Sequence, residues 1–380
     1  MNYRILLAVP VIIATACTRD NMEPTRPSAA DRTNSSAASA VVGNVYTLTN
    51  AASGNAVLSF GRYADGTLAP ADTFATTGNG TGGGLGSQGA VVLSQDGQQL
   101  FAVDAGSNQV TSFRVTSTGL VRASTVSSGG TLPISVTEHG GLLYVLNAGG
   151  AGNIAGFRVD GNANLAPLAE SKRNLGGTAV DPAEVSFSPD GGMLVVTEKA
   201  VNRIATYIVG VSGTPSAAIV NNSAGQTPFG FSFDSRGTMV VSEAFGGAPG
   251  LSAASSYRIN ANGTLQVLSA SVPTHQTSAC WAVVTNSGLF AYLSNTGSGT
   301  VSGYNVHDRR LTLLDASGLT GSTGPGTADA ALAGNSQFLY TRNGGDKSIS
   351  AFQVNNGTGA LTSLSGVAGL PAGSVGLAAR

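Results

Sequence analysis

Charge is scarce in this sequence, and that scarcity excludes several classes of protein. Only 10% of the 380 residues are Asp, Glu, Lys or Arg, and the formal net charge is −1. A nucleic-acid-binding surface needs a basic stripe to neutralise phosphates, so we expect no nucleic-acid partner. With three histidines, two cysteines and no motif typical of a zinc or cofactor site, we expect neither a metal nor a cofactor.

Long apolar runs are also missing, whereas glycine is abundant. No stretch reaches the ~18 apolar residues of a membrane-spanning helix. The chain contains 53 glycines. A high glycine content with few charges is typical of many short strands joined by tight turns, so the composition favours an all-β fold.

The first 41 residues predict export and tethering. Arg4 precedes an apolar segment over residues 5–16, which is the pattern of a secretory signal, although Pro10 interrupts it. The tetrapeptide Ala14-Thr15-Ala16-Cys17 resembles a bacterial lipobox. We therefore predict a lipoprotein-type signal peptide over residues 1–17, lipidated at Cys17; plain secretion and an unprocessed segment are the alternatives.

Residues 18–41, rich in Ser, Thr, Ala, Asn and Pro, lack apolar periodicity and predict a disordered tether. The prediction is an exported protein held in the cell envelope by its lipid alone. The resemblance to Gram-negative lipoproteins, many of which use Asp after the cysteine as an inner-membrane retention signal, implies that Thr18 favours the outer membrane, at its periplasmic face or at the surface, if the host is Gram-negative. Lipidation would leave Cys280 without an intramolecular partner, so no disulfide framework is expected.

One four-strand motif recurs seven times over residues 42–380. Its marker is a strand with the character Val-x-x-Phe/Tyr-x-Val, in which alternation of period two indicates a half-buried strand. The marker aromatics are spaced by 44 to 53 residues and are Phe60, Phe113, Phe157, Tyr207, Tyr257, Tyr304 and Phe352. A repeat of this length with four strands predicts a seven-bladed β-propeller of four-stranded antiparallel blades.

The two ends of the repeat region complement each other. Taking the strands of a blade as A, B, C and D, the first copy begins at strand B, and residues 374–379 form an unpaired strand A. Pairing that C-terminal strand with the N-terminal blade would close the ring and remove its free edges.

The strand order also assigns the loops to two faces. The A–B and C–D turns share one face, here called the bottom, and the D–A and B–C connections share the other, called the top. His139 and His307 then lie on the bottom and His275 on the top. Top-face positions at the ends of B strands and the starts of A strands also hold Asp104, Glu198, Lys199, Glu243, Arg342, Gln88, Asp181, Glu184, Cys280, Trp281 and Asp329.

This gathering of charge in a charge-poor chain suggests a site at the mouth of the central channel. Glu198, Glu243 and His275 are the candidate catalytic groups, since a carboxylate in a partly dry channel has a raised pKa that suits acid or base chemistry. Candidate binding residues are Arg342, Lys199, Glu184, Asp104 and Trp281. The alternative is that the glutamates cap strand ends or pair with Lys199 and Arg342.

The repeats, such as Ser188-Pro189-Asp190-Gly191 followed by a strand ending in Thr197-Glu198, resemble the lactonase family of seven-bladed propellers over about residues 42–380. That family includes 6-phosphogluconolactonase and a 3-carboxymuconate lactonising enzyme. The resemblance implies that Glu198 belongs to the active site. It also implies an Arg-His pair after Pro182 and a histidine after Pro133, but this chain has Ala183-Glu184 and Ile134-Ser135 there.

Two functions remain open from the sequence. In the first, a lactonase-like hydrolase or cycloisomerase acts on a small lactone or carboxylate, with Glu198 or Glu243 as base and Arg342 or Lys199 holding the anion. In the second, a non-catalytic envelope protein binds a glycan or another protein through its top face. We expect a monomer in either case.

Overall fold

The computed structural model describes residues 40–380, which form seven antiparallel blades around a central axis. The predicted signal peptide, the lipidation site at Cys17 and the predicted tether up to residue 39 lie outside the described residues. Strand β1 begins at Val41, one residue before the predicted start of the propeller. Within residues 40–380 the structure contains no helix with the length and apolar character of a membrane span.

The first four blades follow the chain in order. Strands B, C and D of blade 1 are β1 (Val41–Leu48), β2 (Ala56–Tyr63) and β3 (Leu68–Ala75). Blade 2 contains β4 (Val91–Leu93), β5 (Gln99–Asp104), β6 (Gln109–Thr116) and β7 (Gly119–Ser127). Blade 3 contains β8 (Pro133–His139), β9 (Leu142–Asn147), β10 (Asn153–Val159) and an outer strand in two pieces, β11 (Leu165–Pro167) and β12 (Arg173–Asn174). Blade 4 contains β13 (Pro182–Phe187), β14 (Met193–Glu198), β15 (Arg203–Ile208) and β16 (Ile219–Asn222).

The remaining blades repeat this plan. Blade 5 contains β17 (Pro228–Phe233), β18 (Thr238–Glu243), β19 (Ala253–Ile259) and β20 (Leu265–Pro273). Blade 6 contains β21 (Ala279–Val284), β22 (Phe290–Asn295), β23 (Thr300–His307) and the outer pieces β24 (Arg310–Leu313) and β25 (Gly321–Ser322). Blade 7 contains β26 (Thr327–Leu332), β27 (Phe338–Asn343), β28 (Ser348–Val354) and β29 (Leu361–Ala368). Short 3₁₀ turns follow two B strands, at Lys199–Val201 and Phe245–Gly247.

The last strand, β30 (Val375–Ala379), is the A strand of blade 1 and pairs antiparallel with β1. The predicted closure is therefore confirmed. The Thr47 hydroxyl donates to the Gly376 carbonyl at 2.7 Å, and the Arg380 amide donates to the Asn44 carbonyl at 2.9 Å. Gly376 has φ 72°, and a Cβ there would lie 2.9 Å from the Val91 amide nitrogen of blade 2. A side chain would therefore clash as well as strain the backbone.

The repeated aromatic residues form the packing between blades. All seven marker aromatics are buried, and the A strand of each blade packs against the A strands of its two neighbours.

In three blades a buried tyrosine of strand B donates its hydroxyl to a glycine carbonyl in the C–D turn of the next blade. These bonds are Tyr144 to Gly213 at 2.7 Å, Tyr292 to Gly359 at 2.9 Å and Tyr340 to Gly66 at 2.8 Å. Each bond satisfies a phenol that burial would otherwise leave unpaired.

Removal of residues 374–380 should destabilise the whole ring. The deletion would leave the β1 edge unpaired and expose the apolar cluster that Leu377 forms with Val45 and Phe60. We expect a strongly lowered melting temperature and loss of cooperative unfolding in circular dichroism. The milder Leu377→Ala should cost about 2–5 kcal/mol, whereas Leu251→Ala, at an exposed position, serves as the neutral control. An unchanged melting temperature in the deletion would refute the role of the closure.

Candidate functional site

The candidate carboxylates at the ends of B strands occupy a position that recurs around the ring. In blades 2 to 7 the last B-strand residue is polar and has no exposed surface. These residues are Asp104, Asn147, Glu198, Glu243, Asn295 and Asn343. Asn295 donates to Thr300 and Ser302, and Asn343 donates to Ser348 and Ser350, in each case on the adjacent C strand. In blades 6 and 7 the position therefore provides hydrogen bonds within the blade.

Glu243 has hydrogen-bond partners on the outer strands of its own blade, whereas Asp104 has partners on strand C of its blade and in loops of blade 1. The Glu243 carboxylate accepts bonds from Ser255 of β19 and, at 2.6 Å, from Ser271 of β20. The Asp104 carboxylate accepts a bond from Thr111 of β6 at 2.6 Å, besides bonds from Thr76 and Asn55. Burial raises the pKa of both carboxyl groups, and these bonds partly oppose the rise.

Glu198 is less completely satisfied. Its Oε1 accepts the Gly176 amide at 2.7 Å, but its buried Oε2 has no partner among the described residues. Burial raises the pKa of Glu198, and the Gly176 bond and the positive charge of Arg203 on the outward neighbour β15 oppose that rise. No hydrogen bond or ion pair in residues 40–380 joins Glu198, Glu243 and Arg342 to one another.

His275 lies on the top face, as its place between β20 and β21 predicts. The residue is exposed, and its backbone is left-handed, with φ 57°. Its side chain forms no hydrogen bond with any residue of the described part. His139 and His307 lie on the bottom face, at the ends of β8 and β23.

Lys199, in contrast to its neighbour Glu198, reaches into the mouth of the channel. Its Nζ donates to the Gly86 carbonyl at 2.7 Å, lies 3.4 Å from Asp181 and stands 4.6 Å from the centre of the Phe229 ring. Burial lowers the pKa of Lys199, and Asp181 opposes this effect. The ammonium group is thus positioned by a carbonyl, a carboxylate and a π face.

Trp281 and Phe229 form the apolar part of the same mouth. Their ring centres are 5.1 Å apart, and the indole Nε1 donates to the Ser87 carbonyl at 3.0 Å. The cluster is completed by Cys280 and by three alanines, Ala183, Ala244 and Ala328. Burial raises the pKa of the Cys280 thiol to about 11, so the thiol stays protonated and is not a nucleophile.

Gln88 crosses the channel from the start of blade 2. Its side-chain nitrogen donates to the Phe231 carbonyl at 3.2 Å and to the Ala282 carbonyl at 2.9 Å, and its oxygen accepts the Ala282 amide at 3.0 Å. Because Phe231 and Ala282 belong to blades 5 and 6, one side chain links blades that are not neighbours. Together with the carbonyls of Gly86 and Ser87, this residue closes the mouth of the channel.

A second group of charges lies on the A and B strands of blades 4 and 7. Glu184 on β13 accepts the Phe231 amide on Oε2 at 2.6 Å, and Arg342 on β27 donates from Nε to Oδ2 of Asp329 at 3.1 Å. Glu184, Trp281 and Asp329 are equivalent, since each lies two residues after the partner of the last B-strand residue. Oδ1 of Asp329 is buried without a partner among the described residues.

The electrostatics of this group favour the protonated form of Glu184. Burial raises the pKa of Glu184 well above its usual value, the negative charge of Asp329 raises it further, and the Phe231 amide bond opposes both effects. A carboxyl group with a raised pKa thus lies within electrostatic range of an aspartate whose Oδ1 has no partner among the described residues, which is an arrangement suited to acid and base work. Glu184 and Arg342 were expected as binding residues; the role of Asp329 as their partner was not.

Replacement of Glu184 by Gln should change how stability depends on pH. Because the pKa of Glu184 is raised on folding, its contribution is fully present below about pH 4.5 and is lost as the pH rises through the folded-state pKa. The neutral Glu184→Gln side chain cannot ionise, so its melting temperature should fall less than that of the wild type between about pH 5 and about pH 8. The exposed Glu170→Gln is the control; parallel curves for all three proteins would contradict the assignment.

The comparisons with known proteins agree with this fold. A family described as "Lactonase, 7-bladed beta-propeller" matches residues 45–180. A "putative 6-phosphogluconolactonase" from Bacteroides uniformis has a TM-score of 0.72 at 19% identity, covering 89% of this chain and 99% of that one. The periplasmic gluconolactonase of Pseudomonas aeruginosa has a TM-score of 0.65 at 18% identity, covering 88% and 98%. No curated protein matches in sequence.

These findings confirm the resemblance to the lactonase family that the repeats predicted. At identities below one fifth, the structural neighbours establish the fold and not a substrate.

Proposed function

We propose that this propeller is a lactonase-like enzyme that opens or forms the lactone ring of a small carboxylate at the top mouth of its channel. The observation that carries the proposal is the buried group of Glu184, Asp329 and Arg342. Trp281 shares the A-strand position of Glu184 and Asp329, and Lys199 directly follows β14, the partner strand of β13. The family match and the activities named for the structural neighbours support the reaction class.

In the hydrolytic direction, water attacks the lactone carbonyl carbon and transfers a proton to Oδ1 of Asp329. Protonated Glu184 then gives its proton to the ring oxygen as the ring carbon–oxygen bond breaks, leaving a carboxylic acid and an alcohol. Arg342 holds Asp329 in place through its 3.1 Å bond. Lys199 would bind the substrate carboxylate after exchanging its bond to the Gly86 carbonyl for one to the ligand.

Access requires the segment of residues 86–88 to withdraw, since its carbonyls occupy Lys199 and Trp281. Charge on the substrate would assist this step, because a carboxylate is a better partner for an ammonium group than a neutral carbonyl is.

A panel of aliphatic and sugar lactones, followed by titration of the acid released, tests the activity of the purified protein. We expect Glu184→Gln and Asp329→Asn to lower kcat about 10²–10⁴-fold on any lactone that the wild type hydrolyses. The activity of these variants is compared with that of the double variant Glu198→Gln/Glu243→Gln, because the sequence predicts Glu198 and Glu243 as the catalytic carboxylates. Full activity in Glu184→Gln together with loss in the double variant would overturn the assignment to the channel.

A second candidate is a non-catalytic envelope protein whose top face binds a glycan or a protein. The closure of the mouth by residues 86–88 favours this function, since Lys199 and Trp281 already bind carbonyls of that segment. It would be preferred if no lactone of the panel were hydrolysed.

The proposal includes export and anchoring through a lipid on Cys17. The neighbour from P. aeruginosa is named as periplasmic, and the sequence pattern of residues 1–17 supports the same route. Cells given a radioactive fatty acid should label the wild-type protein and not the Cys17→Ser variant. Equal labelling of both would contradict lipidation at Cys17, and an unlabelled but exported wild type would indicate plain secretion.

A further inference from the structure

The bottom face carries two grooves at equivalent places in the repeat, and they differ in charge. Each lies against the A–B turns of two successive blades and the C–D turn of the second. The groove of blades 2 and 3 encloses about 440 Å³ and that of blades 4 and 5 about 630 Å³. Both grooves arise from the same part of the repeat, so the fold makes them alike. A difference in charge between them therefore comes from the side chains that line each groove.

The groove of blades 2 and 3 is acidic. Its charged lining residues are Asp96, Glu138 and Asp160. In the groove of blades 4 and 5, the positions equivalent to Glu138 and Asp160 hold Phe233 and Asn260, which carry no charge.

The groove of blades 4 and 5 is basic. Three arginines line it, Arg236, Arg258 and Arg309, against one carboxylate, Asp190. Oδ1 of Asp190 accepts bonds from the Ser188 hydroxyl at 2.6 Å and from the Gly192 amide at 3.0 Å. In a chain with only 19 lysines and arginines, this is a marked concentration of guanidinium groups.

Arg236 is fixed in position by its own partners. Its Nε and Nη2 bind Oδ2 of the buried Asp234 at 3.0 and 2.8 Å, and Nη2 also donates to the Gly288 carbonyl at 3.0 Å. Arg236 therefore lines the groove in a fixed orientation, and the Asp234 carboxylate largely neutralises its charge. The side chains of Arg258 and Arg309 form no hydrogen bond and no ion pair with any residue in 40–380, so both are available to a ligand.

The backbone of Arg309 is unusual. Asp308 and Arg309 form the two-residue turn between β23 and β24, and both have positive φ, 48° and 65°. Glycine or asparagine is the usual residue in such a turn, since a side chain adds strain. The Ser256 hydroxyl of blade 5 donates to the Arg309 carbonyl at 2.7 Å and ties this turn of blade 6 to the groove.

We propose that this groove binds a small organic anion of sugar size that carries at least two carboxylate or phosphate groups. Two guanidinium groups from neighbouring blades, Arg258 and Arg309, would each form paired hydrogen bonds with one anionic group. Phe233, Met193 and Ile259 supply apolar surface for the carbon skeleton. The volume lies within the usual range of small-molecule sites. The site is separate from the channel mouth on the opposite face and does not depend on the proposed function.

Calorimetric titration of the purified full-length protein at low ionic strength tests the site, with citrate as the carboxylate probe and inorganic phosphate as the phosphate probe. We expect saturable binding of at least one probe, weakened about tenfold or more by Arg258→Gln and weakened further by added salt. The tighter probe identifies the chemistry of the natural anionic groups. Arg114→Gln is the matched control, because Arg114 occupies the same strand position in blade 2 and lines neither groove.

Arg309→Gly separates binding from folding. Glycine relieves the strain of the turn, so this variant should melt at the same temperature as the wild type or higher, while its affinity for the probe falls. Binding of neither probe, or unchanged affinity in both Arg258→Gln and Arg309→Gly, would overturn the proposal.

Discussion

Each blade of this protein has two apolar faces, and both must be buried because their exposure to water is unfavourable. A four-stranded sheet of this kind is stable only between two others, so the blades stabilise one another in a ring, and the ring has to be complete. The pairing of β30 with β1 provides that completion, because it gives blade 1 the same inner strand as the other six blades. The central channel, its mouth and both faces all depend on this pairing, since every one of them is formed by neighbouring blades in register.

Repetition explains why some charged residues of the top face contribute to structure. Asp104, Glu198 and Glu243 are three versions of one position that holds asparagine in three other blades, and burial of the position is complete in all six. A buried polar residue there bonds with groups of its own blade, of the preceding blade or of the connection between them, and the side chain can vary as long as hydrogen bonds are made. Departures from the repeat carry more functional information. Glu184, Trp281 and Asp329 share one strand position, yet blades 3 and 5 have Ser135 and Gly230 there.

Much of the architecture was predictable from the sequence. The seven aromatic markers, the order of strands within a blade, the closure by the C-terminal strand and the face assigned to each histidine all follow from a period of two combined with a period of about 48. The sequence also indicates a structural role for Asp104, Glu198 and Glu243, because the B strands of blades 2 to 7 all end in a polar residue at the same repeat position.

Other features of the site have no local signal in the sequence. Gln88 follows a glycine-rich stretch, and nothing in that stretch indicates that its side chain spans the channel to Phe231 and Ala282. The proximity of Asp329 to Glu184 also arises from the curvature of the whole ring, which brings blades 4 and 7 towards each other across the axis. Such contacts depend on distances between blades, which hydrophobic periodicity within a blade does not encode.

The link made by Gln88 has a consequence for the order of assembly. Its partners are 143 and 194 residues away in sequence, and they come into position only after the blades between them have folded and packed. Contacts of such sequence separation are costly to form early, because a long loop must first be closed. We therefore expect the Gln88 hydrogen bonds to form after the folding transition state, so that they chiefly slow unfolding. Contacts between neighbouring blades hold the ring together, and the side-chain amide of Gln88 in the central channel lowers the rate at which the ring unfolds.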